Sequence, residues 1–478
     1  MSDSLPPARP FAAIGAGARA IVIAQVAKTL IRLVSAALLA RLLSPDAYGL
    51  HGMAALIYTL LYMARDAGIF LAVQQPGLTR ARFNQLALFA LGVGLGLASL
   101  CLLLGRPAAA FFAEPRLPPI LSGLGAAFVF GGATVAPVAL LYKEQRLGTV
   151  AAIEVVATLA STLAALAAAA TGAGVWSLVW LSLSYELAVA IGSWWASPWR
   201  PAWAIAWQDW HGILGRGANL TGQALASHLS RMVDQVAVGR TGNAHELGLY
   251  GRGVQISTAL LQFGIAPLSG WGVAALTSAR EHKGESALAQ QVLNGLFHLC
   301  LPPALLCCVA PELFIRLFYG PKWLAAAEVV RWLGLAAAVQ PWLFVPSWLL
   351  QAAGRTRRLL FASVLGLAFI GLGCVLAQGR GIGAIALAVA TGTLLHAAIS
   401  LALAAGTAGL AIGAWLRPAV IPALLHGGFG VLLAGIQLLR PSLPATWLLL
   451  AAPAYYALAW LAVPAIRREI RHHFLLRP

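Results

Sequence analysis

"KTLIRLVSAALLARLL", residues 28–43, poses the problem this chain presents. Its apolar residues suit hydrocarbon, yet Lys28 and Arg32 lie one helical turn apart inside it, where an isolated cation costs roughly 3 kcal/mol or more. Gln25 and Ser35 extend the same stripe in both directions, so one face of the helix carries Gln25, Lys28, Arg32 and Ser35. No acidic residue stands within a turn of either cation, so their partner must come from elsewhere. A water-filled cleft that receives an anion supplies one, because a guanidinium fork and a compact ammonium both suit phosphate oxygens.

Working outward, 60% of the 478 residues are hydrophobic and only 10% are charged, a balance far from that of a soluble domain. Apolar runs of spanning length recur from about residue 14 to about residue 465, which leaves no stretch for a soluble domain of ordinary size. The formal charge of +17 is spread over short loops without a basic helix or stacking platform, so membrane topology explains it and nucleic acid is not an expected partner. Cys101, Cys300, Cys307, Cys308 and Cys374 all fall in apolar runs and read as packing residues, with no metal-ligand spacing.

Broken at proline, glycine and charge clusters, the chain gives about fourteen segments. They lie near 14–43, 47–73, 84–104, 118–141, 149–170, 174–196, 211–238, 247–277, 289–310, 324–351, 358–377, 383–405, 418–438 and 445–465. An even number puts both termini on one side. "LTRAR", "YKEQR", "SAREHK", "AGRTRR" and "IRREIRHH" all fall on that side, which places both ends of a multi-pass protein in the cytoplasm.

An internal repeat appears when the first segment is slid 199 residues along the chain. "RLVSAALLARLLSPDAYGL", 32–50, then falls on "RMVDQVAVGRTGNAHELGL", 231–249, matching Arg32 to Arg231, Arg41 to Arg240, Gly49 to Gly248 and Leu50 to Leu249. Six helices between the copies give both halves the same orientation, related by an axis along the membrane normal. The expected fold is therefore an all-α polytopic membrane protein, two six-helix lobes around a central cavity plus two C-terminal helices. Its parts are a cytoplasmic N-terminus (1–13), a first lobe (14–196), a cytoplasmic linker (197–210), a second lobe (211–405), two appended helices (418–465) and a basic cytoplasmic tail (466–478).

Other charges interrupt the apolar segments. Asp234 follows Arg231 by three residues and can pair with it within one helix, while Arg252 and Gln255 mark the next helix. Arg65 and Asp66 are adjacent and point about 100° apart, so at least one needs a partner on another helix. Arg41 and Arg240, near helix ends, suit snorkelling. Asp66, Asp234, Glu154, Glu186 and Glu328 lie within or beside apolar segments, where carboxylates couple transport to H+ or Na+ gradients or form structural pairs. Pro267, Pro302, Pro303, Pro341 and Pro346 fall inside expected helices, where proline favours kinks. Isolated His298 and His396 read as packing residues. "GVGLGLASL", 92–100, lacks a preceding strand and reads as close helix packing; no GxxxxGK[ST] loop or metalloprotease His spacing is present.

Several stretches carry a family resemblance in order along the chain: "ARLLSPDAYGL", "LGLYGRGVQI", "LFIRLFYGPKWLAAAEVVRWLGL" (313–335), "LLQAAGRTRRLL" (349–360) and "GIGAIALAVATG" (381–392). Together they resemble the polysaccharide transporter, or Wzx-like oligosaccharide flippase, family of the multidrug, oligosaccharidyl-lipid and polysaccharide exporter superfamily. The resemblance implies a two-lobed bundle moving an oligosaccharide on an undecaprenyl pyrophosphate carrier from the cytoplasmic to the outer leaflet, driven by an ion gradient. It further implies a role beside polysaccharide polymerase and export machinery, and no cofactor or enzymatic activity of the chain's own. Placed on that frame, Lys28, Arg32, Arg231 and Arg252 are the expected pyrophosphate ligands, with Gln25, Ser35, Arg65 and Gln255 as polar lining. A multidrug exporter, a peptidoglycan-precursor flippase and a membrane-embedded glycosyltransferase or polymerase remain as alternatives.

Overall fold

The computed structural model describes residues 12–65, 69–74, 78–200, 232–281, 284–409, 411–439, 447 and 455. These form sixteen α-helices and one 3-10 segment, with no β-strand among the described residues. The chain divides into two compact units, Met1–Gly248 and Leu249–Pro478.

The first unit contains α1 (Ala12–Leu42), α2 (Pro45–Met63), α3 (Ile69–Gln74), α4 (Arg80–Phe112), α5 (Leu117–Lys143), α6 (Leu147–Ala170), α7 (Trp176–Ala196) and α8 (Val233–Thr241), and it ends within the first turns of α9 (Ala244–Glu281). α5 lies at its centre, packed against α2, α3, α4 and α7, while α1 packs along α6. Phe83, Ile69, Val73 and Leu140 are buried between α3, α4 and α5, and the indole N–H of Trp199 closes over them by donating to Asn84 Oδ1 at 2.8 Å.

The remainder of α9 belongs to the second unit, with α10 (Glu285–Val309), α11 (Pro311–Phe318), the 3-10 segment Pro321–Ala326, α12 (Ala327–Ala338), α13 (Pro341–Ala352), α14 (Thr356–Leu376), α15 (Ile382–Ala408) and α16 (Ile412–Leu439). α10, α12, α13 and α15 pack together around Phe297, Cys300, Val345 and Trp348, and α16 lies along α10. All five cysteines are free, and only Cys308 is not buried.

Among the described residues eight helices are long and apolar enough to cross a membrane, or nine if α12 and α13 count as one bent span. α2 and α3, α7 and α9 occupy three more of the expected segments. Most of 211–238 and 445–465 lies outside the described residues.

Among the boundaries that differ from the sequence reading, two have a clear physical reason. α4 does not stop near 104 but continues through Pro107 to Phe112, because "GRPAAAFF" keeps good helix formers after the proline; Ala113, in the left-handed region at φ 52°, ends it. The expected 324–351 helix is in fact two, bent by 42° where Pro341, lacking a backbone N–H, opens α13.

The repeat acquires a physical meaning at the start of α2 and of α9. A Cβ on Gly49 would overlap the backbone of Ala244, and a Cβ on Gly248 would overlap the backbone of Pro45. Each pair is related to the other by the 199-residue shift, so the two helix starts cross at a reciprocal contact that only glycine allows.

A polar cluster secures the same end of α2. Ser44 caps the helix, and Arg116, in the short α4–α5 loop, donates to Asp46 Oδ2 at 2.9 Å and to Glu114 Oε2 at 2.8 Å. Hydrogen bonds from Arg116 hold the Glu114 carboxyl below its ordinary value of 4.5. Its contribution is complete above the ordinary carboxylate range and is lost as pH falls through the lowered value of the folded form. Because Asp46 and Arg116 are largely exposed, the cluster is worth about 1 kcal/mol. Amide exchange in residues 113–117 is therefore expected to accelerate a few-fold between pH 6 and pH 3 after correction for intrinsic rates, and Glu114→Gln should remove most of that difference. A corrected pH profile in Glu114→Gln as steep as the wild type's would show that the cluster does not hold the loop.

Candidate functional site

The polar stripe of α1 is split by its packing on α6. Lys28 and Ser35 are turned inward and buried, while Gln25 and Arg32 are exposed. At 100° per residue, the four span about 80° of the helix circumference, so a neighbour covering one edge leaves the other open.

Lys28 is not unpaired. Its ammonium donates to Glu154 Oε2 on α6, 126 residues away. The sequence reading, confined to acids within a turn, left this cation to an external anion; the fold supplies a carboxylate. The Glu154 side chain keeps 30% of its surface exposed, against 11% for Lys28.

Arg32 has no ion pair among the described residues. Its exposure is not toward the apolar side of α1: Ile23, Leu30 and Val34, at 57–69% exposed, form a stripe roughly opposite it on the helix. α1 thus bares two faces, one apolar and suited to acyl chains, one carrying Arg32 and Gln25. A guanidinium on the second face needs water or an anion, because lipid offers no hydrogen-bond acceptor at that depth.

Arg65 has the partner on another helix that its position demanded. It lies just beyond α2, where the expected 47–73 segment is interrupted, and its Nη1 donates to Glu186 Oε1 at 2.7 Å. Glu186 sits at the middle of α7 with its side chain 6% exposed and also accepts from the Tyr62 hydroxyl. The guanidinium lies 4.1 Å from the Tyr62 ring centroid, and the Tyr58 ring lies tilted against both Tyr62 and the fully buried Phe128. Gly131 makes room for this assembly: a Cβ there would stand 2.9 Å from Arg65 Nη1. Arg32 lies within electrostatic reach of Tyr62, and both Arg32 and Glu154 of Tyr185, so the two ion pairs and the open guanidinium form one charged neighbourhood inside the first unit.

In the second unit Arg252 and Gln255 share a turn of α9 and meet the same side chain. The Tyr319 hydroxyl donates to Gln255 Oε1 at 3.0 Å, and the Arg252 guanidinium lies 5.8 Å from the Tyr319 ring. This accounts for the "YGPKW" stretch: Tyr319 anchors to α9, Gly320 turns the chain at φ 93°, Pro321 starts the 3-10 segment, and Trp323 is fully buried. Glu328, at the first turn of α12, packs its carboxylate against Gly383, where a Cβ would displace it; this accounts for the second glycine of "GIGA". Asp234 accepts from the Gln235 backbone N–H in the first turn of α8. Arg231 and Asp66 lie outside the described residues.

His298 is not isolated, contrary to the sequence reading. Its Nδ1 lies 2.9 Å from His426 Nε2, and His426 Nδ1 lies 3.1 Å from the Tyr455 hydroxyl. That hydroxyl donates its proton to the Leu425 carbonyl at 3.0 Å, so it accepts from His426 Nδ1–H, and His426 Nε2 in turn accepts from His298 Nδ1–H. Only the packing of α10 on α16 brings these rings together, and no spacing in the sequence signals it.

A family model described as polysaccharide biosynthesis protein matches residues 38–328, more than half of the chain. No curated protein matches the sequence. Among solved structures, one titled as lipid II flippase MurJ in an inward closed conformation is similar at a TM-score of 0.72 and 11% identity, covering 95% of this chain and 99% of that one. An inward-facing multidrug resistance MATE family transporter of the MOP superfamily is similar at a TM-score of 0.62 and 12% identity, covering 80% of this chain and 94% of its own. A MOP superfamily transporter from Pyrococcus furiosus reaches a TM-score of 0.50 at 15% identity, with 83% and 95% covered. At such identities the likeness is one of fold.

Proposed function

The chain belongs to the polysaccharide biosynthesis protein family, and we propose that it is a flippase for a polyprenyl-pyrophosphate-linked oligosaccharide. It carries this cargo from the cytoplasmic to the outer leaflet of the bacterial inner membrane by alternating access, coupled to an H+ or Na+ gradient, for surface or exopolysaccharide synthesis. Both termini are cytoplasmic in this reading, and undecaprenyl is the carrier.

One observation carries the proposal: α1 exposes Arg32 on the side away from its apolar stripe, with Lys28 one turn below. A hydrated, cationic face within a multi-pass membrane protein suits a pyrophosphate, while the glycan remains in water and the polyprenyl chain in lipid. Arg252 and Arg231 are the further cations assigned to the same cargo. The same face disfavours the amphipathic cations of a drug exporter.

The test replaces Lys28 and Arg32 together with Gln in a strain lacking the native gene, at matched expression. Lipid-linked glycan is expected to accumulate in the inner leaflet and surface polysaccharide to fall at least about tenfold, as befits the loss of the exposed Arg32 contact and of the Lys28–Glu154 pair beside it. Undiminished surface polysaccharide would reject the assignment. A peptidoglycan precursor has the same pyrophosphate, so complementation of a strain deficient in its flipping serves as the separating arm.

A further inference from the structure

Of the eight helices long and apolar enough to cross a membrane, α14 has the smallest buried share, 17%. It packs along α15 and meets α13 at its start, and most of its remaining surface in the second unit is exposed. The turn into it is tight. Gly354, at φ 64°, lets the Arg355 N–H return to the Leu350 carbonyl at 2.8 Å, so α14 begins four residues after α13 ends.

Three guanidinium groups are concentrated at this turn. Arg355 takes the N-cap position, where an acceptor side chain usually stands, and makes no capping bond; Arg357 and Arg358 follow in the first turn. All three are exposed at the positive end of the helix dipole, where cations are disfavoured and anions are favoured. Arg358 Nη1 donates to Thr407 Oγ1 at 2.9 Å, which ties the start of α14 to the last turn of α15 and leaves most of its donors for another acceptor. The carboxylates of the second unit are engaged elsewhere. Glu285 lies 3.8 Å from Arg280, Glu312 pairs with Arg316, Glu328 packs against Gly383 at the far end of α15, and Glu281 closes α9. The remaining one, Glu469, stands among Arg467, Arg468, Arg471 and Arg477, so the C-terminal stretch is itself basic and does not suit this turn.

Arg357 also heads an apolar stripe. Phe361, Val364, Ala368, Leu372 and Val375 are all exposed and lie within about 80° of one another and of Arg357 around the helix. The stripe runs about 27 Å, close to the thickness of one hydrocarbon core. A soluble anion would use the arginines and leave the stripe bare; a molecule with a phosphate head and acyl chains uses both.

We propose that the start of α14 is a binding site for an anionic diacyl phospholipid, its phosphate held by Arg355, Arg357 and Arg358 and its chains lying along Phe361, Val364 and Ala368. Guanidinium forks match phosphate oxygens in pairs, and an uncharged or zwitterionic head would leave the cluster's excess positive charge unmet. The lipid fastens the α13–α14 turn to one leaflet, the cytoplasmic one in the orientation proposed above. Its site stands apart from the cargo assigned to α1 and makes no use of that assignment.

The test uses the full-length protein in dodecyl maltoside micelles, titrated with dioctanoyl phosphatidylglycerol, with dioctanoyl phosphatidylcholine as the zwitterionic control. Amide exchange over residues 353–360 should slow at least about fivefold with phosphatidylglycerol and stay unchanged with phosphatidylcholine. The concentration giving half of that protection should rise about 100-fold when Arg355, Arg357 and Arg358 are all replaced by Gln, and return to within about tenfold of wild type when all three are Lys. Arg380→Gln, at the opposite end of the same helix, should change nothing. Equal protection by the two phospholipids would overturn the proposal, as would a folded triple Gln variant that titrates like wild type. Protection by inorganic phosphate at the same concentrations would overturn it in favour of a soluble anion. If the triple variant does not fold, salt decides on the wild type alone: protection that survives undiminished from about 0.05 M to about 0.5 M NaCl is not held by these charges.

Discussion

Gly248→Val is expected to leave little or no folded protein in the membrane. The added Cβ falls on the carbonyl of Pro45, a backbone atom at the first turn of α2 that no rotamer change can move. Gly49→Val is the same experiment from the other side, since its Cβ falls on the backbone of Ala244. Either helix start must shift to relieve the overlap, and a shift of α2 also strains the Asp46–Arg116 contacts beside it. The expected cost exceeds about 4 kcal/mol, a large part of a typical folding free energy. Alanine at either position should already be severe, because the clash is with Cβ itself. Gly96 is the control: nothing lies within reach of its added Cβ, so Gly96→Ala should be neutral or stabilising by up to about 1 kcal/mol. The measurement is monodisperse yield and thermal unfolding in detergent. Wild-type yield from Gly248→Val would mean that the two helix starts do not cross as described.

The second large effect concerns Glu186. Glu186→Ala leaves the half-buried Arg65 guanidinium beside Tyr62 and Gly131 without its carboxylate, and since breaking a fully buried pair costs about 3–5 kcal/mol, the lower end of that range is expected. Replacing both members with leucine should recover most of that loss, because the penalty belongs to the orphaned charge and not to the missing attraction. Thermal unfolding of the single and double variants measures the difference. A Glu186→Ala protein as stable as wild type would show that water reaches Arg65 freely. Lys28 and Glu154 should behave more mildly, since that pair is more open.

These contrasts define what the sequence could and could not disclose. Arg65 announced its need for a partner through its apolar surroundings, and Arg32 announced its hydrated face through spacing, because both signals are local to one helix. The glycine match at 49 and 248 was visible as a repeat before its cause was. The partner of Lys28 was not visible: nothing in the α1 stretch points to a residue 126 positions away, and only the packing of α1 along α6 selects Glu154 from the other acids of the apolar segments. The same applies to His298 and His426, which are joined by two helices lying side by side. Helix ends were legible where glycine or a cap marks them and misleading at Pro107, where the chain tolerates a proline and continues.

The crossing of α2 and α9 couples two distant stretches of the chain. A patch that touches its own counterpart when register is advanced by one repeat has the self-complementary character of a two-fold dimer interface. Neither glycine can be enlarged alone, for each one's smallness makes room for main chain beside the other.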